Sequence, residues 1–508
     1  MMDVLMDGAW RAADAESEFF AENPNTRKKI DRAFPVSRWS DCDRALSAAV
    51  KAARELEKIP PEKIAAFLEN YAAGLDASAQ QLAEAAHEET ALPIAPRLKD
   101  VELPRTSDQL RQAARAAREG SWRQPIIDAQ RNIRSCRAPI GPVFVIGPNN
   151  FPFAFNGIAG GDFAAAIAAG NPVIAKAHPL HPYTTFLLAQ QAHKAVLASG
   201  LPAATVQMLY HLSNDTGLKL VADPRLGATG FTGSRAGGLA LKRAADEAGN
   251  PIYLEMSSLN PVIFLPEGME QSGSRWATQL ADSCTAGAGQ FCTRPNLVFT
   301  IGTDASEKFL RELAALFESR TPAPMLSETG RERLHASIES LRKAQAELVT
   351  GGADAPGEGY RYAGTLLRAS AAQFIAQPHE FQREAFGNEV MAVVAANEDE
   401  LLQALSLLEG SLTAGVYSAE SGADDALYNR IAPILRRKAG RLLNDRMPTG
   451  VAVSPAMNHG GPWPSTGHPG FTAVGIPASI VRFTSLHCYD NVREERLPSF
   501  LRGDSPHR

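Results

Sequence analysis

Cysteine is scarce in this sequence. Its 508 residues hold five: Cys42, Cys136, Cys284, Cys292 and Cys488. An odd, scattered set builds no disulfide framework and suits a reducing compartment, so a cytoplasmic protein is expected. No two cysteines have the C-x-x-C spacing of a zinc site. The 11 histidines include no H-x-x-x-H pair, and no resident metal is expected. No run of about 18 apolar residues occurs, which excludes a spanning helix, and no membrane partner is expected. The opening MMDVLMDGAWRAADAE has no basic segment leading into an apolar one and does not read as a secretory signal. An excess of positive charge is lacking too. Lys and Arg number 51 against 56 Asp and Glu, a net charge of −5, which offers nucleic acid no clustered positive field. Tandem repeats at a period of about 20–50 residues are also missing.

What is present is an ordinary folded chain, 44% apolar and 21% charged. At about 150 residues per domain, the length fits two large domains or three smaller ones. Residues 40–90 read as helices, the first (DCDRALSAAVKAARELEKI) opening on an Asp cap, and TSDQLRQAARAAREG adds another from Thr106 to Gly120. From Gly141 the character changes. GPVFVIGP predicts a buried strand, and NNFPFAFNGIAGGDFAAAIAAG a helix ending at Gly170. NPVIAKAHP, TVQMLYH, LGATGFTG and NPIYLEM then alternate with helical segments. This predicts an α/β fold with a parallel, doubly wound sheet, which binds nucleotides beyond the carboxyl ends of its strands. LNPVIFLP, LVFTIG and EVMAVVAA predict a second α/β unit after residue 260, and SIVRFTSLHCY a distant strand.

Cys292 follows the glycine-rich TAGAG in Gly289-Gln290-Phe291-Cys292. A lone cysteine beside apolar residues is most often an inert core thiol. A sharply turning glycine-rich backbone brings it close to a ligand instead, where the thiolate is the nucleophile. Glu255 ends the strand Ile252-Tyr253-Leu254-Glu255 among apolar neighbours, a costly place for an acid without a partner or a task. Asn150, in Gly147-Pro148-Asn149-Asn150, is either a helix cap or an amide donor aimed at an oxyanion. Gly230, Gly233 and Ser234 lie on a strand-to-helix turn, a natural phosphate site that many loops nonetheless resemble. Lys176 ends its strand and reaches either a nucleotide or solvent. Glu384-Ala385-Phe386-Gly387 means nothing alone.

Taken together, GPNNFP, Lys176, FTGS, LEM, GQFC and EAFG stand in the order and near the spacings of the aldehyde dehydrogenase superfamily, which the chain resembles from about residue 20 to 498. The resemblance implies a Rossmann-type cofactor domain over residues 1–121 and 139–257. It further implies an α/β catalytic domain over 258–455 and an oligomerisation arm from 122–138 and 479–490. It makes Cys292 the nucleophile, Glu255 the general base and Asn150 an oxyanion donor. Lys176 and Glu384 would hold the two riboses, Ser234 a phosphate, and Phe386 would lie by the nicotinamide. Phe151, Ala154, Phe155, Ile158, Phe291, Val453, Ser454 and Met457 would line the substrate pocket. A homodimer or homotetramer is expected.

GQFCTRPN, NHGGPWPST and CYDNVREERLP resemble one branch in particular. It contains 2-oxoglutarate semialdehyde (2,5-dioxopentanoate) dehydrogenases and NADP-linked fatty aldehyde dehydrogenases. Oxidation of 2,5-dioxopentanoate to 2-oxoglutarate is therefore expected, with aliphatic aldehydes as the alternative and a silent binding protein as the reading from another class. A dicarboxylic substrate needs a cation near its pocket, and Arg105 or Arg111 is the candidate. The position three residues after Lys176 is Pro179 rather than the acid of NAD-preferring relatives, and His178 lies between. NADP is expected to be preferred and NAD tolerated. Asn388 replaces the family's usual proline after Phe386-Gly387, which is expected to loosen that loop.

Overall fold

The computed structural model describes residues 1–502. Buried apolar runs form the central strands of two seven-stranded sheets, whose edge strands are more exposed. In the first, the order is Ile252–Glu255, Ala228–Thr232, Val143–Ile146, Val173–Lys176, Val206–Leu209, Val4–Met6 and Ala9–Arg11. The first five are mutually parallel and the last two join antiparallel. Strands buried on both faces read as continuous apolar runs, which is why VFVI and VIAK carry the signal. The chain moves outward from Val143–Ile146 through Val173–Lys176 to Val206–Leu209, then returns to Ala228–Thr232 on the other side. The crevice at that reversal is where such sheets take ligands. Lys176, Glu255 and the loop of Asn150 all lie at this carboxyl edge.

The second sheet runs Glu347–Thr350, Thr365–Ser370, Glu389–Ala395, Leu297–Ile301, Val262–Phe264, Ser411–Tyr417 and Ala439–Asn444. All pairs are parallel except the first. A separate three-stranded sheet joins Ile126–Asp128, Ile133–Pro139 and Thr484–Asp490. Among the described residues no helix is long and apolar enough to cross a membrane.

Local chemistry departs from the sequence periodicity in four places. The helix expected from Asn149 to Gly170 shrinks to Gly161–Ala168. Upstream of it, Glu102 accepts the backbone N–H groups of Phe153 and Ala154 (2.9 and 3.0 Å) and Asn156 accepts that of Ile158 (3.1 Å), so side chains satisfy donors a helix would have used. The first long helix is Trp39–Leu56 with Arg38 at its cap position, and Asp41 instead accepts Asp14 N at 3.2 Å. The helix expected from Thr106 starts a turn earlier, as Leu103–Glu119, and ends at Gly120 in the left-handed region (φ 66°) as expected. Residues 479–483, read as strand, form 3₁₀ turns; Ser479, Ile480, Arg482 and Phe483 are buried there, and the strand proper starts at Thr484.

Candidate active site

The helix Pro266–Thr285 delivers the chain into a turn whose residues 287–289 all have positive φ. Gly289 is required there, because a Cβ would fall 2.2 Å from Gly387 O. The turn presents Cys292, whose carbonyl accepts the Asn260 side-chain amide at 2.8 Å. Asn260 also holds Arg294 O at 2.9 Å. Arg294, fully buried, donates to Ala385 O at 2.6 Å and thereby ties this turn to the segment of Glu384 and Phe386.

Cys292 Sγ lies 3.6 Å from His459 Nε2, and that nitrogen lies 3.0 Å from Glu255 Oε1. Both His459 and Glu255 are 1% exposed. Burial pushes the Cys292 thiol well above its ordinary range and the charge of Glu255 adds to this, partly offset by Arg105. The thiol thus lies beside a buried imidazole that is itself in contact with a buried carboxylate. Oε2 of Glu255 is sealed from solvent without a hydrogen-bond partner. The Asn150 amide donates to Gln290 O at 2.9 Å, which brings it to the turn of Cys292 rather than to a helix cap. His459 belongs to NHGGPWPST, whose return across the sheet edge forms a bridge between Glu255 and Thr466. Sequence spacing could not place it, since it is 167 residues from Cys292.

On the other side of the sheet edge, Lys176 has no hydrogen-bond or ion-pair partner among the described residues, and burial pushes its pKa down to about 8. His178 is half-buried, accepts Leu180 N on Nδ1 at 3.1 Å and stacks on His181 at 5.3 Å. Burial pushes its pKa well down, so the ring is neutral and Nε2 carries the proton. His211, near Lys176, has a sealed and unpartnered Nδ1. Pro179 is half-buried beside these rings.

Ser234 is exposed and caps the helix Arg235–Ala248 by accepting Gly237 N at 3.3 Å. Gly230 lies inside its strand, where a Cβ would fall 2.5 Å from Asp162 Oδ2; at Gly233 a Cβ would fall 2.7 Å from the Phe231 ring. Packing accounts for both glycines. Glu384 accepts Ser258 N at 3.3 Å. It lines a cleft of about 370 Å³ with Arg235, Ser257, Ser258 and Glu409. Phe386 is half-buried in the same segment. Asn388 does not loosen that segment: it is 1% exposed, and its amide donates to Tyr362 O at 2.6 Å.

Ala154 and Phe155 form one apolar cluster with Phe151, Val453 and Met457 packed against them. Phe151 meets Phe155 and Phe291 edge-on at 5.3 and 5.2 Å, and Phe155 lies 5.4 Å from the His459 ring. Ile158 departs from this set. It belongs to the core of the first sheet, and its carbonyl accepts the Tyr71 hydroxyl at 3.1 Å. Ser454 serves its own turn, accepting Ala456 N at 3.3 Å. Arg111 pairs with Asp76 at 2.5 Å on the surface. Arg105 lies over Phe155 and Phe151, at 5.0 and 6.0 Å from their centroids.

The model of the aldehyde dehydrogenase family matches residues 10–461. The chain belongs to the aldehyde dehydrogenase family. Among aldehyde dehydrogenases it is 37% identical to alpha-ketoglutaric semialdehyde dehydrogenase 2 of Azospirillum brasilense, over 99% of this chain and 97% of that one. It is 36% identical to alpha-ketoglutaric semialdehyde dehydrogenase of Acinetobacter baylyi, over 93% and 90%. An aldehyde dehydrogenase of Bacillus cereus, solved as its NAD⁺ complex, superposes with a TM-score of 0.82 at 20% identity, covering 96% of both chains. That likeness establishes the α/β aldehyde dehydrogenase fold.

Proposed function

We propose that the chain oxidises 2,5-dioxopentanoate to 2-oxoglutarate with NADP preferred and NAD accepted. The observation that carries the chemistry is the single nitrogen of His459 in contact with both Cys292 Sγ and Glu255 Oε1. The names of the two relatives above support the substrate.

Cys292 gives its proton to the His459–Glu255 pair, and the thiolate adds to the aldehyde carbon. The second amide proton of Asn150 and the Cys292 backbone N–H receive the oxyanion. A bound nicotinamide supplies the acceptor for the hydride that leaves this carbon, and Cys292 is left as a thioester. Once the pair has passed the thiol's proton to solvent, Glu255, steadied by His459, takes a proton from water, which attacks the thioester carbonyl. The carboxylate departs and the thiol is restored. A free carboxylate oxygen on Glu255 favours release to water over release to coenzyme A.

The residues present fit a nicotinamide dinucleotide. Lys176 is an unpaired ammonium at a sheet edge, Glu384 faces the cleft, and the helix Arg235–Ala248 opens beside the exposed Ser234. The Lys176, His178 and His211 group, with Pro179 in place of a carboxylate, welcomes a 2′-phosphate that an acid would repel. The first sheet and its helices then form the cofactor domain (1–121 and 139–257), and the second sheet the catalytic domain (258–455). The exposed Ile126 (68%) and Leu486 (71%) on the small sheet support its role as an arm in a homodimer or homotetramer. Five free cysteines suit the cytoplasm.

The test is cofactor reduction across 2,5-dioxopentanoate, shorter semialdehydes and long aliphatic aldehydes. The expected result is the highest kcat/KM for 2,5-dioxopentanoate. A higher value for the aliphatic series would favour the fatty-aldehyde alternative, and no reduction with any aldehyde would leave only the silent reading.

A further inference from the structure

A cation sealed against an apolar pocket without a counter-charge is costly, because a buried guanidinium wants its donors satisfied. Arg105, half-buried overall and near Glu102, has two donor nitrogens in this position. It projects from the helix Leu103–Glu119 onto the faces of Phe155 and Phe151. Its Nε and Nη2 are both sealed from solvent, and neither has a hydrogen-bond partner. These two nitrogens form one edge of the guanidinium, the fork that grips a carboxylate with two parallel hydrogen bonds.

The nearest acid cannot fill that fork. Glu102 already accepts Phe153 N and Ala154 N on Oε1, and pairs with Arg97 through Oε2. The other arginines nearby are engaged: Arg97 with Glu102, Arg111 with Asp76, and Arg441 with Pro448 O and Gly450 O. One helix turn and two turns on, Gln109 and Gln112 donate to Ala154 O and Val453 O, both at 3.4 Å. They fix this helix face against the two walls of the pocket and so hold Arg105 in place. From Arg105 the path to the nucleophile is short. It crosses Phe155, whose ring lies 5.4 Å from His459, and His459 Nε2 touches Cys292.

We infer that Arg105 is the receptor for a carboxylate carried on the far end of the aldehyde substrate, gripped on its Nε–Nη2 edge. The inference rests on the aldehyde-oxidising reading above and deepens it by assigning the substrate class, short ω-oxo acids, to one side chain. The pocket's aromatic rings would flank the carbon chain between the two ends.

Two five-carbon aldehydes separate the charge from the chain: 5-oxopentanoate and pentanal. For Arg105→Met, which keeps the packing stem, the ratio of kcat/KM for 5-oxopentanoate to that for pentanal is expected to fall at least about thirtyfold, the effect of removing one partner of a buried, hydrogen-bonded charge pair. The fall appears mainly in KM for the acid, and Arg105→Lys restores part of it. An unchanged ratio, including equal losses on both aldehydes, overturns the inference and leaves aldehyde oxidation standing. A wild-type enzyme inert toward both overturns the reading beneath it as well. Inhibition of the wild-type enzyme against pentanal needs no variant to fold. Pentanoate is expected to compete at least about tenfold better than pentanamide, since one charge-assisted pair distinguishes them; equal inhibition overturns the inference.

Discussion

The Nε2 atom of His459 sits 3.0 Å from Oε1 of Glu255, with both side chains buried. In the proposed mechanism this histidine carries the proton of the Cys292 thiol toward the Glu255 carboxylate. His459→Gln is expected to lower kcat by about 10²–10⁴, the usual worth of a positioned acid–base group. The loss should be larger at low pH, where the Cys292 thiol, already pushed up by burial, is hardest to ionise. Stopped-flow cofactor reduction across pH checks this, and a wild-type profile in the variant would remove His459 from the mechanism.

Asn150→Ala removes a donor next to the Cys292 turn and is expected to cost about 10²–10³ in turnover with little change in cofactor affinity. Steady-state kinetics alongside cofactor titration separates the two quantities. An equal loss in both would mean that the Asn150–Gln290 bond is purely structural.

Cofactor choice has a pH signature. Lys176, pushed down to about 8 by burial, is charged below that pH and neutral above it. A 2′-phosphate needs the charge, so NADP affinity should fall relative to NAD as pH rises through about 8. Pro179→Glu should move the kcat/KM ratio toward NAD at every pH, by like-charge repulsion. A strong preference for NAD in the wild-type enzyme would defeat both expectations.

Gly230→Ala distinguishes packing from binding. The added methyl would meet Asp162, which is ion-paired with Arg482 at 2.6 Å. We expect a stability loss of about 1–3 kcal/mol by thermal or urea unfolding, with cofactor affinity nearly unchanged. Weakened cofactor binding at unchanged stability would return Gly230 to the binding site.

The five parallel strands of the first sheet and the strands Val262–Phe264, Leu297–Ile301 and Glu389–Ala395 of the second were legible because buried parallel strands are continuous apolar runs, whereas Val4–Met6, Ala9–Arg11, Glu347–Thr350, Thr365–Ser370, Ser411–Tyr417 and Ala439–Asn444 were not. The short motifs carried Cys292, Glu255 and Asn150. What escaped was whatever depends on distant partners. His459 and Asn260 are ordinary polar residues until the fold brings them to Cys292, and Ile158 looks like a pocket residue until the fold places its side chain in the core of the first sheet. The free fork of Arg105 emerges only when its competitors are seen to be paired. The Asn149–Gly160 segment misread as helix because Glu102, 51 residues from Phe153, takes its backbone donors.

The most direct test of the central claim is the pre-steady-state course of Glu255→Gln. With Cys292 as nucleophile and Glu255 as the base that admits water, this variant should release a stoichiometric burst of reduced cofactor and then slow sharply. Intact mass should show the acyl group held on the protein and absent from Cys292→Ala. Steady turnover at the wild-type rate without a burst, or an acyl adduct that survives in Cys292→Ala, would contradict the account.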